Sequence, residues 1–322
     1  MRTPPIRLLP QLLLLAACLA PLVAAAQAYP SRPIKLIVPY APGGNTDIVA
    51  RTYGQKLSER IGQPVVMDNR GGAAGALGMG IAAKSPNDGY TLVIGDIGSM
   101  VIGPIAKPDL GYDPRKDLAP ISLMAAVSIV VTINAKSPIN TFAEFLSLAR
   151  AQPGKLTYGT GGVGGPGHLA FEMLRSMTGI NVLHVPFKGG AQAVTGLLGE
   201  QVDAVIDGTA VAQVKAGKLK AIAVTGPRLA ALPDVPGIGE SVKGYSFTNW
   251  WGILAPAGTP EGIVNRLSEE FSAIAALPDV RQRLSDLGLA AQGSTALQLA
   301  DHVRGETEKV ARIVREAGIK FE

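Results

Sequence analysis

The run Ile34-Lys35-Leu36-Ile37-Val38-Pro39-Tyr40-Ala41-Pro42-Gly43-Gly44-Asn45-Thr46-Asp47 decides the fold. Its first five residues are a short β-rich apolar stretch, and the prolines and glycines of 39–44 break it into a loop. Beyond the loop Val49, Tyr53, Leu57 and Ile61 recur every four residues, which lays one apolar stripe along a helix. Residues 65–67 read as a second strand and 75–84 as an Ala-rich helix. Pro86-Asn87-Asp88-Gly89 is a turn signal, and 91–94 is a third strand. Two consecutive β-α-β units of this kind predict a parallel sheet with right-handed crossovers.

Further along, 121–133 is one long, mostly apolar β-like segment. Thr141-Phe142-Ala143-Glu144 has capping-box spacing and opens a helix. A strand at 156–160 leads through a glycine-rich loop to a helix ending near 177. Segments 182–185, 190–199, 204–206 and 219–224 continue the strand–helix alternation. A Pro-rich connection (227–236), a strand near 251–254 and helices from Pro260 onward complete the chain. The order predicts two α/β lobes, the second inserted into the first: 29–124 with 226–322, and 125–225. The connections fall near 123–127 and 224–227, and two crossovers suit hinge closure over a ligand.

Composition removes several classes of function. Of 322 residues, 47% are hydrophobic and 17% charged, enough to bury a core. Aromatics at 5% argue against a base-stacking platform, and a net charge of +5 gives no basic stripe for nucleic acid. Arg2 and Arg7, the apolar stretch 8–20 and the small-x-small site Ala26-Gln27-Ala28 form a secretory leader over 1–28, with Tyr29 opening the mature chain. The expected location is periplasmic. Leu15-Ala16-Ala17-Cys18 also has lipobox form, so a lipid anchor on Cys18 is the alternative; Cys18 is the only cysteine.

Each lobe offers a strand, a glycine loop and a helix start. Unpaired amides at a helix start hold a carboxylate without any side chain, and glycines let it approach. In the first lobe this is Tyr40, Ala41, Pro42, Gly43 and Gly44, with Asp47 either capping its own helix or touching the ligand. In the second it is Tyr158-Gly159-Thr160-Gly161-Gly162-Val163-Gly164-Gly165-Pro166-Gly167-His168. Gly162, Gly164 and Gly167 match G-x-G-x-x-G, but the acidic residue a dinucleotide site needs is missing from Val185-Pro186-Phe187-Lys188. What remains is an amide nest for an anion. The three histidines, His168, His184 and His302, lack metal-site spacing, and no G-x-S-x-G elbow occurs. No enzyme, metal or cofactor is therefore expected. His168 has a structural reading and a ligand-contact reading; Asp207, at a strand end, divides between pocket and cap. Trp250 and Trp251 read as core or interlobe packing, with ligand stacking the alternative.

The ordered motifs resemble the Bug family, the extracytoplasmic (TctC-like) solute receptors of tripartite tricarboxylate transporters. They are Tyr29-Pro30-Ser31-Arg32-Pro33-Ile34, Val38 to Gly44 with Asp47, Gly62-Gln63-Pro64-Val65-Val66, Asp68-Asn69-Arg70 and Asp88-Gly89-Tyr90-Thr91-Leu92. Pro153-Gly154-Lys155-Leu156, His184-Val185-Pro186-Phe187-Lys188-Gly189-Gly190 and Ala216-Gly217-Lys218-Leu219 follow. Leu232-Pro233-Asp234-Val235-Pro236 and Leu254-Ala255-Pro256-Ala257-Gly258-Thr259-Pro260 close the set, which spans the mature chain.

The resemblance implies a two-lobed, flytrap-like periplasmic binding fold of the type II class, with Rossmann-like lobes and a ligand cleft between them. It implies capture of a small carboxylate, amino acid or related acid by a monomer, and delivery to a membrane permease. A receptor read by a sensor kinase is the second reading, and a periplasmic hydrolase the third. Carried over by position, the ligand contacts are Tyr40 to Gly44; Asp96, Ile97, Gly98 and Ser99; Thr160, Gly161, Val163, Gly164 and Gly165; and Asp207. Two departures stand out: Asp96 replaces a small hydroxyl, and Gly165-Pro166 stand where relatives carry Ser or Thr. Asp96 either faces the ligand, selecting a donor group, or turns away to cap the following helix.

Overall fold

The computed structural model describes residues 29–107, 109–187 and 189–321; the expected leader and Cys18 lie outside them. The strand β1 (Ile34–Val38) is buried on both faces. Ile34, Leu36 and Val38 point into one apolar cluster and Ile37 into another, as the two-residue period of a strand requires. Helix α1 (Asn45–Ile61) lays Val49, Tyr53 and Leu57 against the first of these clusters and stops at Gly62, whose φ of 68° is the left-handed C-cap geometry glycine favours. There follow β2 (Val65–Asn69), α2 (Ala76–Ala83), β3 (Thr91–Asp96) and β4 (Leu118–Ser128). The 121–133 segment, expected as one element, is two: β4 ends at Ser128 and β5 (Val130–Asn134) begins after Ile129 in a different sheet.

The inserted part then runs α3 (Phe142–Ala151), opened by the expected Thr141/Glu144 capping box, β6 (Thr157–Thr160), α4 (Pro166–Thr178), β7 (Leu183–Pro186), α5 (Gly190–Leu198), β8 (Ala204–Ile206) and β9 (Leu219–Val224). The chain returns through β10 (Thr248–Pro256), α6 (Glu261–Ala276), α7 (Pro278–Asp286), β11 (Ala290–Ala291) and α8 (Ala296–Ala317).

Two sheets result, ordered β11-β4-β10-β3-β1-β2 and β7-β6-β8-β5-β9. They are built alike. Each has three parallel strands, β2-β1-β3 or β7-β6-β8, extended by an antiparallel strand that arrives from across the molecule. This is a two-lobed α/β fold. The chain changes sheet at Ile129 and at Thr225, and these residues are bonded to each other. The Ile129 N–H donates to Thr225 Oγ1 (2.9 Å) and the Thr225 N–H to the Ile129 carbonyl (2.9 Å). Both are buried. β10 starts opposite Ser128, so β4 has no partner beyond that residue and the chain is released to the second sheet. The first crossover thus falls just after the expected 123–127 stretch.

Of the returning segment, β10 and β11 pair within the first sheet. Its last helix, α8, also meets the second lobe: the Arg175 guanidinium on α4 donates to the Ala317 carbonyl (3.1 Å). One apolar cluster runs through this seam, joining Ile37 and Val93 of the first lobe to Tyr158 and Phe171 of the second. Trp250 and Trp251 are core residues, as expected, with Trp251 Nε1 donating to Thr46 Oγ1 (2.9 Å). No helix among the described residues is long and apolar enough to cross a membrane.

Candidate functional site

A cavity of about 630 Å3 opens between the lobes, at the strand ends of both sheets. Its first-lobe wall holds Tyr40, Asn45, Asp96 and Gly98; Val127, Ile129 and Asn249 line it beside the crossover. The second-lobe wall is the glycine loop 161–167 together with Asp207, Gly208 and Thr209. Carboxyl ends of strands at a change in strand order are where open α/β sheets place ligands, because loops diverge there and leave a crevice.

At the first-lobe wall Asp96 ends β3. Its Oδ1 accepts from the Ser99 N–H (2.8 Å), Ser99 Oγ (2.8 Å) and the Tyr40 hydroxyl (2.9 Å). Burial pushes the Asp96 carboxyl above its ordinary range, against the three donors, which lower it. Burial and the neighbouring Asp96 charge likewise raise the Tyr40 hydroxyl well above its usual value. One oxygen of Asp96 thus holds the turn at Ser99, while the residue also lines the cavity.

The helix starts on the two sides differ in charge. At α1, buried Asp47 accepts from the Gly43 N–H (3.0 Å), from Arg51 Nε (2.9 Å) and from Asn69 Nδ2 (2.9 Å). Burial raises its pKa, but these donors outweigh it and the net shift is downward. The N-terminus of α1 is thus neutralised from within. At α4 the N-cap is Gly165, no side chain caps it, and its first turn carries no acid. The Gly167 and His168 amides find no acceptor among the described residues. The partial positive charge of α4 is open to the cavity at Gly167. A Cβ on Gly167 would sit 2.2 Å from the Ile206 carbonyl oxygen, so glycine is what lets α4 start this close to β8.

Beneath the loop, His168 Nδ1 accepts from the Gly164 N–H (2.9 Å) and His184 Nε2 lies 2.7 Å from Thr160 Oγ1. The two rings stack, with centroids 4.1 Å apart and 7° between planes. Burial lowers both histidines to about 4. They are held neutral at pH 7 and shape the loop from behind.

Of the residues expected at the site, the cavity brings together Tyr40, Asp96, Gly98, Gly161, Val163, Gly164, Gly165 and Asp207. Ala41, Pro42, Gly43 and Gly44 form an exposed loop outside its lining. Ile97, Ser99, Thr160 and His168 are buried behind the lining, supporting it. Sequence reasoning passed over Asn45, Thr209, Asn249 and Phe321. Asn249, a polar residue beside two tryptophans at the start of a strand, was the available signal; its Oδ1 is buried without a partner. Phe321 packs at Gly164, where a Cβ would lie 2.3 Å from its ring.

The family model described as "Tripartite tricarboxylate transporter family receptor" matches residues 49–319. The chain belongs to this receptor family. A protein from the tcbD-tcbE intergenic region of Pseudomonas sp. (strain P51) is 37% identical over 294 residues, covering 90% of this chain and 87% of that one. Protein BugT of Bordetella pertussis is 32% identical over 92% of this chain and 93% of its own. Among solved structures, an R. palustris protein with adipate is 33% identical with a TM-score of 0.81, covering 91% of this chain and 99% of that one. MatC from Rhodopseudomonas palustris with bound malate is 31% identical with a TM-score of 0.74, covering 89% and 100%. The family is one of solute-binding receptors, and solved relatives such as BugD are periplasmic binding proteins.

Proposed function

We propose that this receptor captures a small carboxylate-bearing solute in the interlobe cavity, in the periplasm, and hands it unchanged to a membrane permease of the tripartite tricarboxylate type. The observation that carries this is the cavity itself. Its volume, about 630 Å3, lies in the range of small-molecule pockets, and both lobes and the crossover contribute to it. A ligand touching both walls binds the closed form better than the open one, and that difference in affinity drives closure. The residues assigned to ligand contact are Tyr40, Asn45, Asp96, the glycines 161–167, Asp207, Thr209 and Asn249. Glycine amides and the open N-terminus of α4 take a carboxylate. The adipate and malate held by relatives support that ligand class.

The test is a thermal-shift screen of protein stripped of carried-over ligand by unfolding and refolding. Di- and tricarboxylates, amino acids, aromatic acids and neutral or amine-bearing analogues form the panel. A saturable upward shift from one chemical group is expected, because a ligand that favours the native state stabilises it by mass action. No shift across the panel contradicts the proposal.

A further inference from the structure

Tyr40 and Phe321 are the aromatic residues lining the interlobe cavity, and they reach it by different routes. Tyr40 lies in the loop after β1. Phe321 follows α8, and three features fix where its ring lies. Gly318, with a φ of 64°, ends the helix in the left-handed region, and the Ile319 N–H donates back to the Val314 carbonyl (3.0 Å), which turns the chain off the helix axis. The Arg175 guanidinium, itself paired with Glu172 (2.7 Å), donates to the Ala317 carbonyl (3.1 Å) and ties the end of α8 to α4. The ring then lies on Gly164, in the loop that leads into α4.

Gly164 and Phe321 fit each other. Gly164 has a φ of 71°, a region that residues with a side chain rarely enter, and a Cβ there would lie 2.3 Å from a ring carbon. Glycine is what lets the ring reach the loop. Ile319 and Phe321 also pack against the apolar cluster that runs through the seam between the lobes. A phenyl ring turns about only two side-chain bonds, and this one is backed by Gly164 and the cluster, so it does not yield to a larger solute as a flexible chain would. The other end of α8 rests on the first lobe, with Leu299 against Gly252 of β10. The ring is thus carried to the second-lobe loop by a helix that also touches the first sheet.

We propose that Phe321 is a specificity-determining residue of the solute site, its ring setting the upper size of the solute that the cavity accepts. The inference rests on the reading of the cavity as a solute site. It adds a limit imposed from the segment after α8 rather than from the strand-end loops.

The experiment is titration calorimetry on stripped protein with malonate, succinate, glutarate, adipate, pimelate and suberate, which carry the same two carboxylates at growing separation. Affinity of the wild type should fall by about tenfold or more beyond one chain length. Phe321→Ala should move that fall to a longer member of the series and Phe321→Trp to a shorter one. Opposite shifts at one position separate a size limit from a general loss of structure. Gly164→Ala displaces the ring, so it should move the fall in the same direction as Phe321→Ala, and add nothing in the Phe321→Ala background. A wild-type profile without a fall, or the same profile in the wild type, Phe321→Ala and Phe321→Trp, would overturn the inference and leave the solute-binding reading standing. Binding of no diacid would also overturn it, and failure across the wider thermal-shift panel as well would overturn the solute site with it.

Discussion

His168 and His184 stack beneath the second-lobe loop as neutral rings, and this makes stability depend on pH. In the native state burial holds both to about 4, whereas the unfolded chain takes up these protons near the ordinary value of 6.5. Between those limits the unfolded chain binds more protons, so the contribution is complete above about 6.5 and is lost as pH falls toward about 4. Urea unfolding should therefore show lower stability at pH 5 than at pH 7. His168→Gln, which removes one of the two titrating rings and offers Gly164 an amide oxygen instead, should narrow that gap. An unchanged gap would mean the histidines are not its source. The same residues show where sequence reading reached its limit. That His168 sits at a helix start was legible from the glycine run before it; that its ring faces inward, onto His184, depends on β6 and β7 pairing side by side and was not.

At the scale of elements, the strand–loop–helix units were legible because their cause is local. Val49, Tyr53 and Leu57 at four-residue spacing, or Thr141 three residues before Glu144, act within one or two turns. The change of sheet at Ile129 was not. Apolar β-formers stand on both sides of it, and what divides β4 from β5 is the starting point of β10 and the hydroxyl of Thr225, which is 96 residues away. Thr225→Val is nearly isosteric but leaves the buried Ile129 N–H without its partner. The expected cost is about 1–3 kcal/mol, the penalty of an unsatisfied buried donor, read from the urea midpoint. A loss below about 0.5 kcal/mol would show that the crossover does not depend on this bond.

The whole molecule assembles the cavity lining from parts distant in sequence. Tyr40 and Asp96 come from two strand ends of the first sheet, Asp207 from the second, Asn249 from the returning strand and Phe321 from beyond the last helix. Family motifs pointed to the loops at 40–44, 96–99 and 160–165, and some residues of each line the cavity. Asn249 and Phe321 were not foreseen, since only the two crossovers and the passage of α8 along α4 bring them in. The arrangement also explains why Ala41 to Gly44, though glycine-rich, stay outside: Asp47 already occupies the amide of Gly43 from the helix side.

The central claim is that the cavity between the lobes binds the solute. Gly208 lines it, and a Cβ there meets nothing within 4 Å, so Gly208→Phe adds a bulky side chain to the lining with no clash at its Cβ. The most direct test is a calorimetric titration of wild type and Gly208→Phe with whichever ligand gives the largest thermal shift. The expected result is one site per chain in the wild type and its loss in the variant, with the unfolding midpoint of the ligand-free protein unchanged. Equal affinity in a folded Gly208→Phe protein would contradict the claim and move the binding site elsewhere on the molecule.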